Sequence, residues 1–400
     1  MSDLTFAGLT PAPADPILGV TEKFRADPRP QKVNLGVGVY LTEEGKTPLL
    51  DVVRDAEMAL AQSNQPHGYI PINGLPEYCS AVQKMVFGAD SEVVQSGRAV
   101  TIQTLGGTGG LKVGMDFMHN VCGASRAATS VPTWGNHNAL LKYAGFEVAG
   151  YRYYDKANDC VDFEGMVADL KALPAKTLVV MHSCCHNPTG YDLTPEQWKT
   201  VIEICRQGQL TPFLDMAYQG FGVGLKEDAA SIALFAESGL DFLLSTSFSK
   251  SFNLYGERIG ALTVVTQNAS EAAVVLTQLK SMVRANYSNP PSHGARIVSR
   301  VLNNPQTFEQ WLGELAAMRT RIQKMRHALA DEMARIGAKR DFSFVTRQKG
   351  MFSFTGLSPE QIDRLADEFG IYAVRNGRIC ICGLNTRNVE YVARSIAAVL

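Results

Sequence analysis

Seven short apolar runs separated by helical patterns constrain this chain more than any other feature of its sequence. They are Val100–Leu105, Arg126–Val131, Phe146–Tyr153, Thr177–Cys184, Pro212–Asp215, Phe242–Thr246 and Ile259–Val265. Several are near-continuous in apolar residues, as expected of strands buried on both faces. Helices are predicted between them. Thr194-Pro195-Glu196-Gln197 reads as a capping box with proline at the first helical position. Trp198, Val201, Ile202 and Cys205 then recur at helical spacing, and Gly208 is expected to stop that helix. This alternation predicts an α/β fold with a mostly parallel sheet.

From Pro305 the pattern changes. Trp311, Leu315, Met318, Ile322, Met325, Leu329, Met333 and Ile336 step by three or four residues to Gly337, which predicts one long amphipathic helix. Strands are expected at Phe342–Thr346, Met351–Thr355 and Arg378–Cys382, with a capped helix starting at Ser358-Pro359-Glu360-Gln361. This tail reads as a smaller α+β domain. The first 30 residues hold five prolines (Pro11, Pro13, Pro16, Pro28 and Pro30), which predicts an extended arm that packs with that domain.

Composition narrows the function classes. Formal net charge is -1, with no basic excess of the kind a general nucleic-acid binder carries. No apolar run approaches membrane-spanning length and no basic, apolar leader opens the chain, so no membrane span or secretory signal is expected. Eight cysteines in 400 residues make no disulfide framework, and most lie in apolar surroundings, as buried thiols do in a reducing, cytoplasmic setting.

Several segments at strand ends carry chemistry. Leu105-Gly106-Gly107-Thr108-Gly109-Gly110-Leu111 follows a strand and opens a helix. It fits a phosphate cradle and a tight structural turn equally well, but lacks the pattern of a Walker loop or a dinucleotide fingerprint. His182-Ser183-Cys184-Cys185-His186 invites a metal reading, but Pro188 opposes the helix that two histidines at this spacing need. No metal site is expected. Asn187-Pro188-Thr189-Gly190 is a turn by composition, placed where α/β sheets put ligand loops. Asp215 ends a strand, as a cap or as a site residue. Lys250, in Ser247-Phe248-Ser249-Lys250, follows a buried-looking strand, where a desolvated amine can attack a carbonyl. Arg258, Arg284 and Arg378 fit either carboxylate partners or surface ion pairs.

In combination these motifs resemble the class I aminotransferases, pyridoxal-phosphate enzymes of fold type I, and within them the bacterial aspartate and aromatic (tyrosine) subgroup. Cys185-His186-Asn187-Pro188-Thr189-Gly190, Ser247-Phe248-Ser249-Lys250 and Tyr287-Ser288-Asn289-Pro290-Pro291 carry the likeness, which runs from Val33 to Arg378. It implies a PLP-dependent transferase fold: a large domain with a mostly parallel seven-stranded sheet and a smaller α+β domain. The implied division is an arm and part of the small domain over 1–44, a large cofactor domain over 45–310, and the rest of the small domain over 311–400.

The resemblance also implies roles. Lys250 holds pyridoxal phosphate covalently and moves the proton, Asp215 pairs with the pyridinium nitrogen, and His137 orients Asp215. Asn187 and Tyr218 bond the cofactor's phenolic oxygen, with Tyr218 counted among the catalytic residues, and Trp134 stacks on the ring. Gly107, Thr108, Ser247 and Arg258 form the phosphate cup, joined by Tyr69 of a neighbouring subunit. Arg378 clamps the substrate's α-carboxylate with Asn187 and Trp134 beside it. Arg284 of the neighbouring subunit, near Ser288, receives a side-chain carboxylate, and Gly38 closes over the substrate. A homodimer with shared sites follows. Gly106 stands where the family often has serine. Val39, Thr47, Thr108 and Asn289 look like aspartate-specific members, whereas Gln65-Pro66-His67-Gly68 and Tyr255-Gly256-Glu257-Arg258 look aromatic, and Leu41 is apolar. The implied activity is ping-pong transfer of an amino group between aspartate or aromatic amino acids (tyrosine, phenylalanine) and 2-oxoglutarate. A decarboxylase or lyase using the same cofactor is the alternative. A regulator that senses amino acids is more remote, because it needs an added DNA-binding module.

Overall fold

The computed structural model describes residues 6, 8–12 and 18–400. A seven-stranded sheet forms its centre, in the spatial order Ala99–Leu105, Ile259–Val265, Phe242–Ser247, Thr211–Met216, Leu178–His182, Arg126–Val131, Glu147–Arg152. Each strand coincides with one of the apolar runs. All neighbours are parallel except Ile259–Val265, which runs antiparallel to both of its partners. That reversal brings the start of Ile259–Val265 to the edge where its neighbours end. Arg258 therefore joins the loops that follow Leu105 and Ser247.

Both faces of the sheet are covered. Ile102, Phe213 and Leu262 pack with Leu111, Met115 and Leu279 from helices Gly106–Asn120 and Ala269–Asn286. On the other face Val179, Leu214 and Leu244 join a larger core with Trp198, Val201 and Phe235. Strands buried on both sides need apolar residues at successive positions, which is why these runs do not alternate. Trp198 and Val201 are presented by helix Pro195–Gly208, whose capping box is formed by Thr194 and Gln197. The chain reverses one residue later than expected: Gln209, not Gly208, adopts the left-handed conformation.

The long helix spans Pro305–Ile336 and ends at left-handed Gly337. It is tied to the segment that carries the candidate lysine. The Trp311 indole N–H donates to the Ser251 carbonyl at 2.8 Å, and its ring stacks on Phe252 at 4.6 Å. Beyond it, Phe342–Thr346 is not a strand. The Asp341 carboxylate accepts from both the backbone N–H and the hydroxyl of Ser343, and the chain winds into a 3-10 turn over Ser343–Thr346. The last strand is also shorter than expected. Arg378–Cys380 pairs with Phe352–Phe354, and Ile381–Gly383 then forms a 3-10 turn because no partner strand extends past Phe352.

The N-terminal part differs most from expectation. Leu18–Ala26, free of proline, is a helix rather than extended arm, and Pro13 and Pro16 lie outside the described residues. It does pack with the C-terminal elements. Phe24 meets Tyr372 edge-on at 5.8 Å, and strand Val33–Asn34 pairs in parallel with Ile371–Tyr372. Residues 34–38 are thereby carried to Arg378, where the Cys380 N–H donates to the Leu35 carbonyl at 2.6 Å.

Candidate active site

The carboxyl ends of the parallel strands open into a cleft of about 180 Å³. Its lining includes Gly38, Gly107, Thr108, Trp134, Asn187, Asp215, Tyr218, Ser247, Lys250, Arg258 and Arg378. These come from loops scattered over some 340 residues of sequence and converge because neighbouring strands end at one edge.

One end of the cleft gathers groups that favour negative charge. Helix Gly106–Asn120 starts directly at the end of strand Ala99–Leu105, and no side chain caps it. Its first-turn N–H groups therefore have no intrahelical acceptor and point out of the helix start. Ser247, Ser249 and Arg258 line the same end. Arg258 is held by a bond from its Nη1 to the Tyr255 carbonyl at 2.9 Å. Gly106 has a φ of +67°, and a Cβ there would sit 2.5 Å from Arg258 Nη2. A side chain at Gly106 would push the end of the Arg258 guanidinium aside. A Cβ on Gly260 would likewise fall 2.4 Å from the Gly106 carbonyl carbon.

Asp215 lies buried at the centre of the cleft. His137 Nε2 bonds its Oδ2 at 2.9 Å, and Thr133 Oγ1 bonds His137 Nδ1 at 2.9 Å. Burial alone would raise the carboxyl pKa. The His137 hydrogen bond and the nearby Lys250 charge outweigh it, and the pKa lies below the ordinary carboxylate value. Lys250 lies on the turn after Phe242–Ser247, its Nζ 5.2 Å from the centroid of the Tyr218 ring. Burial lowers its pKa to about 8, helped by Arg258 and Arg378 and opposed by Asp215. Burial raises the Tyr218 phenol.

Arg378 closes the other end. It is 4% exposed and has no carboxylate partner among the described residues. Its Nη2 donates to the Gly36 carbonyl at 2.8 Å and its Nη1 to Asn187 Oδ1 at 3.3 Å, while its buried Nε has no acceptor. A planar guanidinium with a buried, unpartnered Nε has the geometry to pair with a carboxylate.

Tyr69, Arg284 and Ser288 do not line this cleft. Tyr69 is 96% exposed, and the exposed Arg284 bonds only Ser288 Oγ among the described residues. His182, Ser249, Tyr255 and Phe352 line the cleft without having been assigned to it from sequence. His182 and Ser249 belong to motifs already noted, and Tyr255 to one rim segment. Phe352 was legible only as a strand residue, because nothing local says that its ring meets Arg378. His186 has both ring nitrogens engaged, by Ser130 at 2.9 Å and Thr189 at 2.8 Å, and stacks on Tyr153 at 4.0 Å. It is a core histidine.

Residues 30–396 match the sequence profile of the family described as aminotransferase class I and II. The chain is 53% identical over 395 residues to an aspartate aminotransferase of Pseudomonas aeruginosa, covering 99% of each chain. It is 50% identical over 389 residues to an aromatic-amino-acid aminotransferase of Escherichia coli, covering 96% of this chain and 98% of that one. A crystal structure of an aromatic-amino-acid aminotransferase from Burkholderia pseudomallei, covalently bound to pyridoxal phosphate, superposes with a TM-score of 0.97 at 53% identity and covers 100% of both chains.

Proposed function

The chain belongs to the class I and II aminotransferase family, and on that premise we propose that it moves an amino group between aspartate or an aromatic amino acid and 2-oxoglutarate, with pyridoxal phosphate as cofactor. The convergence of Lys250, Asp215 and Arg378 on one cleft carries this reading.

The residues fit the cofactor. The uncapped first turn at Gly107 and Thr108, with Ser247 and Arg258, would hold its phosphate. Ionised Asp215 would face its pyridinium nitrogen, Asn187 and Tyr218 its phenolic oxygen, and Trp134 its ring. Lys250 would hold its aldehyde carbon. When bound, pyridoxal phosphate supplies an electron sink for the electron pair left by deprotonation at the substrate α-carbon.

The chain's own groups do the rest. At a pKa of about 8, roughly a tenth of the Lys250 amine is neutral at pH 7. A lysine at its ordinary value would be about four parts in ten thousand neutral. Once the substrate's amino group has displaced it, the freed Lys250 Nζ can take a proton from the α-carbon and return it two atoms along, a 1,3-shift. His137 keeps Asp215 ionised and oriented. Arg378 fixes the substrate's α-carboxylate and so the direction of its Cα–H bond. Gly38, beside Arg378, leaves room for substrate and bounds the cleft against water.

Tyr69 and Arg284 lie outside this cleft and are assigned to the site of a second copy, in a homodimer. There Tyr69 joins the phosphate cup, and Arg284, with Ser288, receives the side-chain carboxylate of aspartate or 2-oxoglutarate. An aromatic donor would not need that cation. The eight cysteines form no disulfide, and no described helix is long and apolar enough to cross a membrane. Both facts support a cytoplasmic enzyme. The decisive experiment is a panel of amino donors with 2-oxoglutarate, run on the wild-type protein and on Lys250→Ala. Oxo-acid formation by wild type alone is expected; equal turnover by Lys250→Ala would overturn the reading.

A further inference from the structure

Arg326 is 2% exposed and has no carboxylate partner among the described residues. It projects from the middle of the long helix, and its guanidinium is spent on one turn of backbone. Its Nη1 donates to the Val345 carbonyl at 2.9 Å and to Ser353 Oγ at 2.5 Å. Its Nη2 donates to the carbonyls of Gly350 at 2.8 Å and Phe352 at 2.6 Å. Only a planar fork reaches this many acceptors from one helix position. Burial lowers its pKa to about 10, so it remains charged at neutral pH.

The anchored turn leads into Phe352, whose ring packs against Arg378 and Tyr218 and faces Gly38. The Arg378 guanidinium carbon lies 4.2 Å from the ring centroid. Tyr218 meets the ring edge-on at 5.8 Å, and a Cβ on Gly38 would sit 3.4 Å from Phe352 Cζ. The ladder behind Phe352 is weak. It has three residue pairs, with Phe352 opposite Cys380 and Phe354 opposite Arg378, so the ring reaches Arg378 diagonally. A two-stranded ladder that short does not hold its own position.

We propose that Arg326 is a positioning residue for substrate binding: it fixes the turn 345–353, which holds the Phe352 ring against the Arg378 guanidinium and presents that guanidinium's edge to a carboxylate. The ring covers one face of Arg378 and partly compensates its desolvation, leaving the in-plane N–H groups for the ligand. Arg326 and Phe352 therefore act in series, and neither needs to touch the substrate's reacting atoms. This rests on the reading of Arg378 as a carboxylate clamp.

The test is a double-mutant cycle on the cofactor-loaded enzyme, with Arg326→Lys, Phe352→Leu and the pair. The probe is 3-phenylpropionate, a carboxylate with no amino group, so its binding is read without turnover. Each single variant is expected to weaken the probe by about fivefold or more, the scale of one desolvated cation–π contact. The double variant should be no weaker than the worse single one, because the two lie on one path. The cofactor's absorbance spectrum and dissociation constant should not change. In turnover, KM for donor and acceptor should rise together while kcat falls less. Should Arg326→Lys fail to fold, Ser353→Ala removes one of the four acceptors and is expected to give a smaller shift of the same kind. Wild-type probe affinity in folded Arg326→Lys or Ser353→Ala, or losses that multiply in the double variant, would overturn the proposal. A wild-type protein that binds the probe but transfers no amino group would overturn the functional reading and leave this one standing.

Discussion

Replacing Arg378 by glutamine separates a carboxylate clamp from a buried structural arginine. Arg378 is 4% exposed, the two terminal nitrogens of its guanidinium bond Gly36 and Asn187, and Nε has no acceptor. Glutamine keeps a polar end for Asn187 or Gly36 and leaves little cavity, so folding should survive. What it removes is the charge and the two-pronged donor edge. Truncating one side of a desolvated, hydrogen-bonded charge pair costs about 2–5 kcal/mol. At about 1.4 kcal/mol per factor of ten, that is roughly a 30- to 4,000-fold loss of kcat/KM. The loss should be similar for aspartate, phenylalanine and 2-oxoglutarate, because each carries the carboxylate that Arg378 would hold. Steady-state kinetics with all three, alongside a thermal melt and a cofactor titration, is the assay. A loss below about fivefold for any substrate, with the fold intact, would refute the clamp. A loss confined to dicarboxylates would show that Arg378 reads the side chain instead.

Lys250→Ala is expected to abolish turnover while the protein still folds, as circular dichroism and a multiple-turnover assay would register. In the cofactor-free chain, reaction of Lys250 with an amine-directed reagent should follow its neutral fraction and reach half its maximal rate near pH 8; exposed lysines should do so near pH 10.4, and mass spectrometry of the labelled peptide against pH checks this. Arg284→Leu should lower kcat/KM for aspartate at least about tenfold more than for phenylalanine, since only the former carries a second carboxylate; equal losses would contradict the assignment. Gly106→Ala forces a side chain into the left-handed region and toward Arg258. It should weaken cofactor retention by about fivefold or more, measured by dialysis and absorbance; unchanged retention would separate Gly106 from the phosphate end.

The central sheet was legible because burial on both faces forces apolar runs, and such runs are local. The helix starts were legible for the same reason: a capping box or an N-terminal proline acts within one turn. Where a neighbour decided, reading failed. Phe342–Thr346 has strand-like residues but no strand to pair with, and the Asp341 carboxylate turned it into a 3-10 turn. Arg378–Cys382 lost its end because Phe352–Phe354 stops opposite Cys380.

The site divides along the same line. Lys250, Asp215 and the glycine-rich helix start stood out as candidates from their positions at strand ends, and the family resemblance, not their neighbours, gave Asp215 and the glycines their roles. Their convergence needed the strand order, in which Ile259–Val265 runs against its neighbours and delivers Arg258 to the common edge. Phe352 and Arg326 were beyond sequence altogether. A ring packed on a guanidinium 26 residues away, and an arginine spent on carbonyls, leave no periodicity or motif behind. What short-range physics dictates, namely which segments are buried, where helices begin and which residue types can do acid–base or anion chemistry, the chain determines alone. Which of those groups meet, and which neighbours tune them, depends on contacts between residues far apart in sequence, and only the tertiary structure decided that.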